Sequence, residues 1–385
     1  MEKSYSIFLP NHLLVGMGVV EKVGEKAKEL GKSKALIVTD KGIVAAGLLE
    51  RVLTPLEKAG LKVHIFDQIE PNPRDHTVSK AFEFGKKKEI DLIIGLGGGS
   101  PIDAAKAVGV LMTNSGSLQD FLRGAVVKNP LPTLIAIPTT AGTGSEVTQF
   151  SVVTDTQRRF KAGIANVHLI PKVAMVDPSL MQSMPGSLAA ATGMDALTHA
   201  IEAFVSQNAQ PFSDALALHA IRFIGKYLRP SVANGADEEA RFQMAVASTQ
   251  AGIAFSNAGV GLVHAMSHPL GGHFDVPHGI ANAILLPYVM DFNLIARLEK
   301  YAQVAQALGE KVEGLSLVEA AQKASEAVVR LSADIGIPRH LSEVGVKAEG
   351  LSGVAEDALQ MKRAIAWNPR VVKQEEIESI YRKAL

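Results

Sequence analysis

The chain contains no cysteine at all, which excludes disulfides and thiolate chemistry of every kind. An excess of either charge is lacking too. Lys plus Arg and Asp plus Glu number 39 each, so no net field argues for nucleic acid or an anionic membrane as the main partner. Uninterrupted apolar runs fall short of the ~18–20 residues that a membrane span needs. The opening MEKSYSIFLPNHLL has no long apolar segment leading to a small-residue cleavage site. The expectation is a cytoplasmic protein working on small molecules, without nucleic-acid or membrane partners. What is present is ordinary for a globular chain: 47% hydrophobic and 20% charged residues over 385 positions, enough length for two domains.

The two halves differ in pattern. Up to about residue 182, short β-branched runs alternate with helical stretches: ALIVT from Ala35, KVHIF, DLIIGLGGGS, TLIAIPTT and VAMVD. Continuous apolar strands separated by helices are what a parallel sheet covered on both faces requires. FSVVTDTQRRFKAGI instead alternates around a turn and predicts an inserted hairpin. From residue 183 to 385 strand signals all but vanish, and segments such as SLVEAAQKASEAVVRLSADIG carry helical periodicity. The reading is an α/β nucleotide-type domain over 1–182 and an all-helical domain over 183–385.

In the first half, GLGGGSPIDAAKAV joins a strand to a helix that Pro101 suits. Gly97, Gly98, Gly99 and Ser100 are candidate pyrophosphate contacts, since glycines admit a close ligand and free helix N–H groups attract phosphate. The spacing departs from the usual G-x-G-x-x-G. Asp40 closes an earlier strand, where an acid hydrogen-bonds adenosine ribose hydroxyls and repels a 2′-phosphate, favouring NAD over NADP. It precedes the glycines instead of following them, which implies either a different strand order or a turn-forming aspartate. A third loop, IPTTAGTGSEVT, offers the hydroxyls of Thr139, Thr140 and Thr143 directly after a strand.

In the second half, His264, His268, His273 and His278 fall in one stretch, and Asp195 and His199 stand four apart upstream, on one face of a helix. A lone histidine in an Ala/Leu-rich helix is ordinarily a core or surface residue. Several imidazoles with a carboxylate at helical spacing are instead a nitrogen/oxygen donor set for a divalent transition metal. Such a site with an open position takes three or four protein groups, so not all of these are ligands.

Together GGGSPIDAAK, TTAGTGSE, ATGMDALTHA and GLVHAMSHPLGG with PHGIANAILLP resemble the iron-containing (group III) alcohol dehydrogenase family across essentially the whole chain. The branch most resembled holds lactaldehyde reductase and 1,3-propanediol dehydrogenase. The resemblance implies a dehydroquinate-synthase-like fold with the active site in the cleft between its domains. It implies Asp195, His199, His264 and His278 as metal ligands, and His268 as a substrate or proton-relay contact; His273 matches no family motif. It adds Asn72, Asp103 and Lys161 to the coenzyme residues, and Phe150 and Phe255 as borders of the substrate pocket.

The activity so implied is NAD-dependent interconversion of small primary alcohols or diols with their aldehydes, using one divalent metal, in a homo-oligomer that is a dimer or larger. One carboxylate and three imidazoles accept Fe(II) or Zn(II); intrinsic affinity favours zinc, the family name iron. Rival readings are a glycerol-dehydrogenase-like polyol enzyme and a non-redox lyase using NAD transiently. A metal-dependent hydrolase is disfavoured because no Glu stands between the ligands as in H-E-x-x-H.

Overall fold

The structure is a computed structural model and describes residues 4–158 and 160–385. The chain forms two compact units, one of Phe8–Ser183 and one of Met184–Leu385 with the described residues before Phe8.

The first unit is built on strands β1 (His12–Val15), β2 (Lys34–Val38), β3 (Lys62–Phe66), β4 (Leu92–Gly97), β5 (Thr133–Pro138) and β8 (Val173–Val176). They form one sheet in the order β1-β8-β5-β4-β2-β3, every pair parallel. Its helices are α1 (Val23–Glu29), α2 (Lys41–Ala45), α3 (Leu48–Lys58), α4 (Asp75–Lys87), α5 (Gly99–Thr113) and α6 (Leu118–Leu122). Because successive side chains point to opposite faces, each strand feeds two cores. Leu36, Val38, Ile93 and Leu134 pack on one side, and Ala35, Ile37, Ile94, Ile135 and Ile137 on the other. The expected hairpin is present as β6 (Phe150–Asp155) and β7 (Phe160–Ala165), antiparallel.

Sheet order resolves the inverted position of Asp40. Strand β2 lies beside β4, which lies beside β5. The loops after these three strands are therefore neighbours at the carboxyl edge, although the acid comes first in sequence. That edge is where open α/β sheets bind ligands. Strand β1 was not foreseen: four residues at the sheet edge, mostly exposed, carry no alternation to read.

The second unit is helical among its described residues, with α7 (Gly186–Val205), α8 (Pro211–Ala233), α9 (Glu238–Ala258), α10 (Leu262–Phe274) and α11 (His278–Asn293) leading it. There follow α12 (Leu298–Ala307), α13 (Leu317–Asp334), α14 (Leu351–Gln360), α15 (Lys362–Trp367) and α16 (Gln374–Ala384). Local signals set their limits. Asp237 caps α9 by accepting from the Ala240 N–H, and Ser316 with Glu319 forms a capping box on α13. Helix α7 packs against α8, α9 and α11 and is buried continuously from Gly193 to Val205.

One expectation needs correcting. The window His278–Ala296, with a mean hydropathy of 1.4, is long and apolar enough to cross a membrane. Counting uninterrupted runs missed it because Asn282, Asp291 and Asn293 break the run. Half of that window is buried, and Asn282 and Asn293 are among its most enclosed residues. A core helix passes the same length and hydropathy test.

Candidate metal and coenzyme sites

Helix α7 presents Asp195 and His199 one turn apart, and α10 brings up His264. Ligand atoms of these three buried residues all lie within 4.8 Å of one another. His278, first residue of α11, places Nε2 3.6 Å from Asp195 Oδ1, and His264 Nε2 lies 3.8 Å from the same oxygen. Donors ~2.0–2.2 Å from a tetrahedral ion stand roughly 3.3–3.6 Å apart, so the His264 and His278 nitrogens lie near that spacing from the Asp195 oxygen. Helix α11 gets this near because of Gly279: a Cβ there would fall 2.4 Å from the Ala191 carbonyl oxygen of α7.

The rings stack in series. Phe255 lies on His199 at 4.2 Å between centroids, and His199 on His264 at 4.5 Å. His268, one turn beyond His264, stands 5.1 Å from His278, beside the donor set. His273 lies apart, exposed, its Nε2 2.7 Å from an Asp357 carboxylate oxygen.

Two residues at this centre escaped the sequence reading. Asn282, one turn after His278, donates through Nδ2 to Asp195 Oδ1 at 2.7 Å. That nitrogen also lies 3.2 Å from His264 Nε2 and 3.1 Å from His278 Nε2, in the midst of the donors. Glu202 accepts from His264 Nδ1 at 2.5 Å and from the Val263 N–H at 2.6 Å. Burial alone would lower the His264 pKa, but the facing Glu202 and Asp195 carboxylates outweigh it and hold the imidazole above its usual value. The signal for Glu202 was its spacing of seven from Asp195 and three from His199, which keeps it on their face.

The coenzyme candidates lie in the first unit. The Gly97 carbonyl accepts from the Thr139 N–H at 3.0 Å, joining the glycine turn to the threonine loop. Gly97 has φ +144°, and a Cβ there would meet Pro101 at 2.6 Å; one on Gly99 would meet Thr143 at 2.9 Å. The buried hydroxyl oxygens of Thr139 and Thr140 have no hydrogen-bond partner among the described residues, a deficit that a bound polar ligand would fill. Ser100 Oγ accepts from the N–H of Asn72, itself left-handed at φ 56°. Asp40 caps α2, accepting from the Ile43 N–H at 2.9 Å, so the turn-forming reading of this residue holds for one oxygen.

Asp103 joins the neighbouring loops. Its two oxygens accept from Ser145 Oγ at 2.5 Å and Val152 N–H at 2.9 Å, fastening the threonine loop and hairpin to α5. Below it Lys106, fully buried, donates to the Thr148 carbonyl and hydroxyl oxygens and to the Phe150 carbonyl. Lys161 lies on β7 opposite Thr154, whose hydroxyl donates to the Asn72 carbonyl at 3.4 Å. Phe150 opens β6 and is half-buried.

Comparison with known proteins bears on both units. A model of the iron-containing alcohol dehydrogenase matches residues 10–178, and one of the C-terminal part of the Fe-containing alcohol dehydrogenase family matches 189–385. The chain is 47% identical to 1,3-propanediol dehydrogenase of Citrobacter freundii, covering 99% of this chain and 100% of that one. It is 43% identical to an NAD-dependent methanol dehydrogenase of Bacillus methanolicus, over 99% and 100%. Its structure superposes on a crystal structure of 1,3-propanediol oxidoreductase with a TM-score of 0.97, at 46% identity and full coverage of both chains. Parallel sheet, helical second unit, sequence and superposition agree, and the chain belongs to the iron-containing alcohol dehydrogenase family, with its dehydroquinate-synthase-like fold.

Proposed function

We propose that this protein is an NAD-dependent, divalent-metal-dependent alcohol dehydrogenase that interconverts small primary alcohols or diols and their aldehydes. The observation that carries the reading is the buried donor set of Asp195, His199 and His264, with His278 beside it. These four residues would hold Fe(II), with Zn(II) competing for the same donors. When bound, the ion supplies Lewis-acid stabilisation of the alcohol oxygen, and the coenzyme accepts the hydride.

The chain's own residues do the rest. Burial of Asp195, His199 and His264 excludes water and strengthens every charge interaction at the centre. Phe255 fixes His199 by stacking and offers an apolar border to a small neutral substrate. His268, in ring contact with His264 and His278, is the candidate for moving the alcohol proton. Asp40, Asn72, Gly97, Gly98, Gly99, Ser100, Asp103, Thr139, Thr140, Thr143 and Lys161 form the coenzyme side, with Phe150 at the substrate pocket. The orphaned threonine hydroxyls support that assignment. The name of the methanol-oxidising relative supports NAD as the coenzyme. We further place the enzyme in the cytoplasm, as a homo-oligomer acting on free alcohols and aldehydes.

The test is NADH formation by chelator-stripped protein given NAD and 1,2-propanediol, 1,3-propanediol, ethanol or butanol, before and after anaerobic addition of Fe(II) or Zn(II). Activity returning only with metal is the expected result. No NADH with any alcohol and either metal, from protein shown to bind NAD, would sink the proposal.

A further inference from the structure

Glu202 is an acidic residue 5% exposed, on the central helix of the second unit. A buried carboxylate is costly unless it is paired and hydrogen-bonded, so the partners that hold it show what it is for. Both of its oxygens are engaged at the start of α10. Oε1 accepts from the N–H of Val263, in that helix's first turn, and Oε2 from Nδ1 of His264, the next residue. An ionised carboxylate has only lone pairs to offer, so the imidazole proton must sit on Nδ1. In the neutral ring that a metal ligand requires, Nε2 then keeps the lone pair, 3.8 Å from Asp195 Oδ1.

We propose that Glu202 is a positioning residue of the metal centre, locking His264 in its ligating tautomer and supplying the second negative charge that balances a divalent ion. The inference rests on the metal-dependent reading above. An imidazole without such a partner exchanges its proton between the two nitrogens, and it loses its capacity to ligate whenever Nε2 holds the proton. A carboxylate on the far nitrogen ends that exchange and raises the basicity of the ligating one. Charge gives a second reason. Three neutral imidazoles and Asp195 carry −1; with Glu202 the enclosed total is −2, which a divalent ion cancels.

The experiment compares the full-length wild-type protein with Glu202→Gln, which keeps the shape and removes the charge. Zn(II) affinity is read by competition with a chromophoric chelator, beside far-ultraviolet dichroism and a fluorescence titration of NADH. The expected outcome is Zn(II) affinity reduced 10- to 100-fold, with dichroism and NADH affinity unchanged. A merely structural role would lower the melting temperature without moving the affinity. Wild-type uptake of Zn(II) matched by Glu202→Gln overturns this proposal alone. A wild-type protein that takes up neither Zn(II) nor Fe(II) overturns the metal reading and this proposal with it. Should the variant not fold, histidine-selective 15N spectra of stripped wild-type protein decide, His264 being assigned by comparison with His264→Gln. A proton on Nδ1 supports the role, and one on Nε2 alone refutes it.

Discussion

Lys106 shows what a single side chain costs and does at the coenzyme loops. Burial pushes its ammonium down to about 8, against the pull of Asp103 and Glu146, while the same side chain ties three acceptors of the hairpin and threonine loop to α5. Its pKa is lower folded than unfolded. Between about 8 and the unfolded 10.5, the unfolded chain therefore holds a proton that the folded one has released. Stability of the wild type relative to Lys106→Met should rise with pH across that window by up to about 1.4 kcal/mol per unit. A flat difference from pH 7 to 10.5 would remove the argument. Asp40 offers a cleaner experiment, because exchanging a capping acid for glycine costs only a few tenths of a kcal/mol. Asp40→Gly should stay folded and relax the exclusion of NADP; an unchanged coenzyme preference would leave Asp40 as a cap alone. His268→Ala should keep its metal and turn over on the order of 10²-fold more slowly per bound ion. Loss of most metal with normal turnover per ion would make it a ligand and not a proton carrier.

Among the elements, the turn between β4 and α5 is the most tightly specified. At Gly97 the backbone takes φ +144° and the Pro101 ring closes the space, whereas a Cβ on Gly98 would come no nearer than 3.3 Å to Thr140 Oγ1. Gly97→Ala should therefore cost about 2 kcal/mol or more and weaken NADH binding. Gly98→Ala should cost clearly less, and equal melting temperatures for the two would contradict the steric account. This turn was legible in the sequence because glycine before a proline-led helix has a local meaning. Strands β2, β4, β5 and β8 were legible as apolar runs, and the hairpin as alternation. Other features were not, because their meaning arises only when distant segments meet. Lys106 reads as an ordinary helical lysine until the hairpin covers it, and Asn282 as a polar break in an apolar helix until Asp195 faces it. The ligand set showed itself in part through helical spacing. Its supporting carboxylate shares that helix face, but nothing local ties Glu202 to a histidine 62 residues away.

For the whole molecule, the prediction concerns metal removal. The donors are held by helices that pack through apolar side chains over their length, so the fold does not depend on the ion for its core. Stripped protein should keep its helical dichroism and melt at a lower temperature. Free Zn(II) at a hundred times its dissociation constant should restore about 2.7 kcal/mol. Collapse of the helical signal on chelation would contradict this.

The Asn282 amide shows how those helices are joined at the centre. Its nitrogen rests among Asp195, His264 and His278, answering the carboxylate charge and filling space between the rings. One amide therefore ties α11 to α7 and α10 at the point where their donors meet. A change at this one position would be felt by three helices at once.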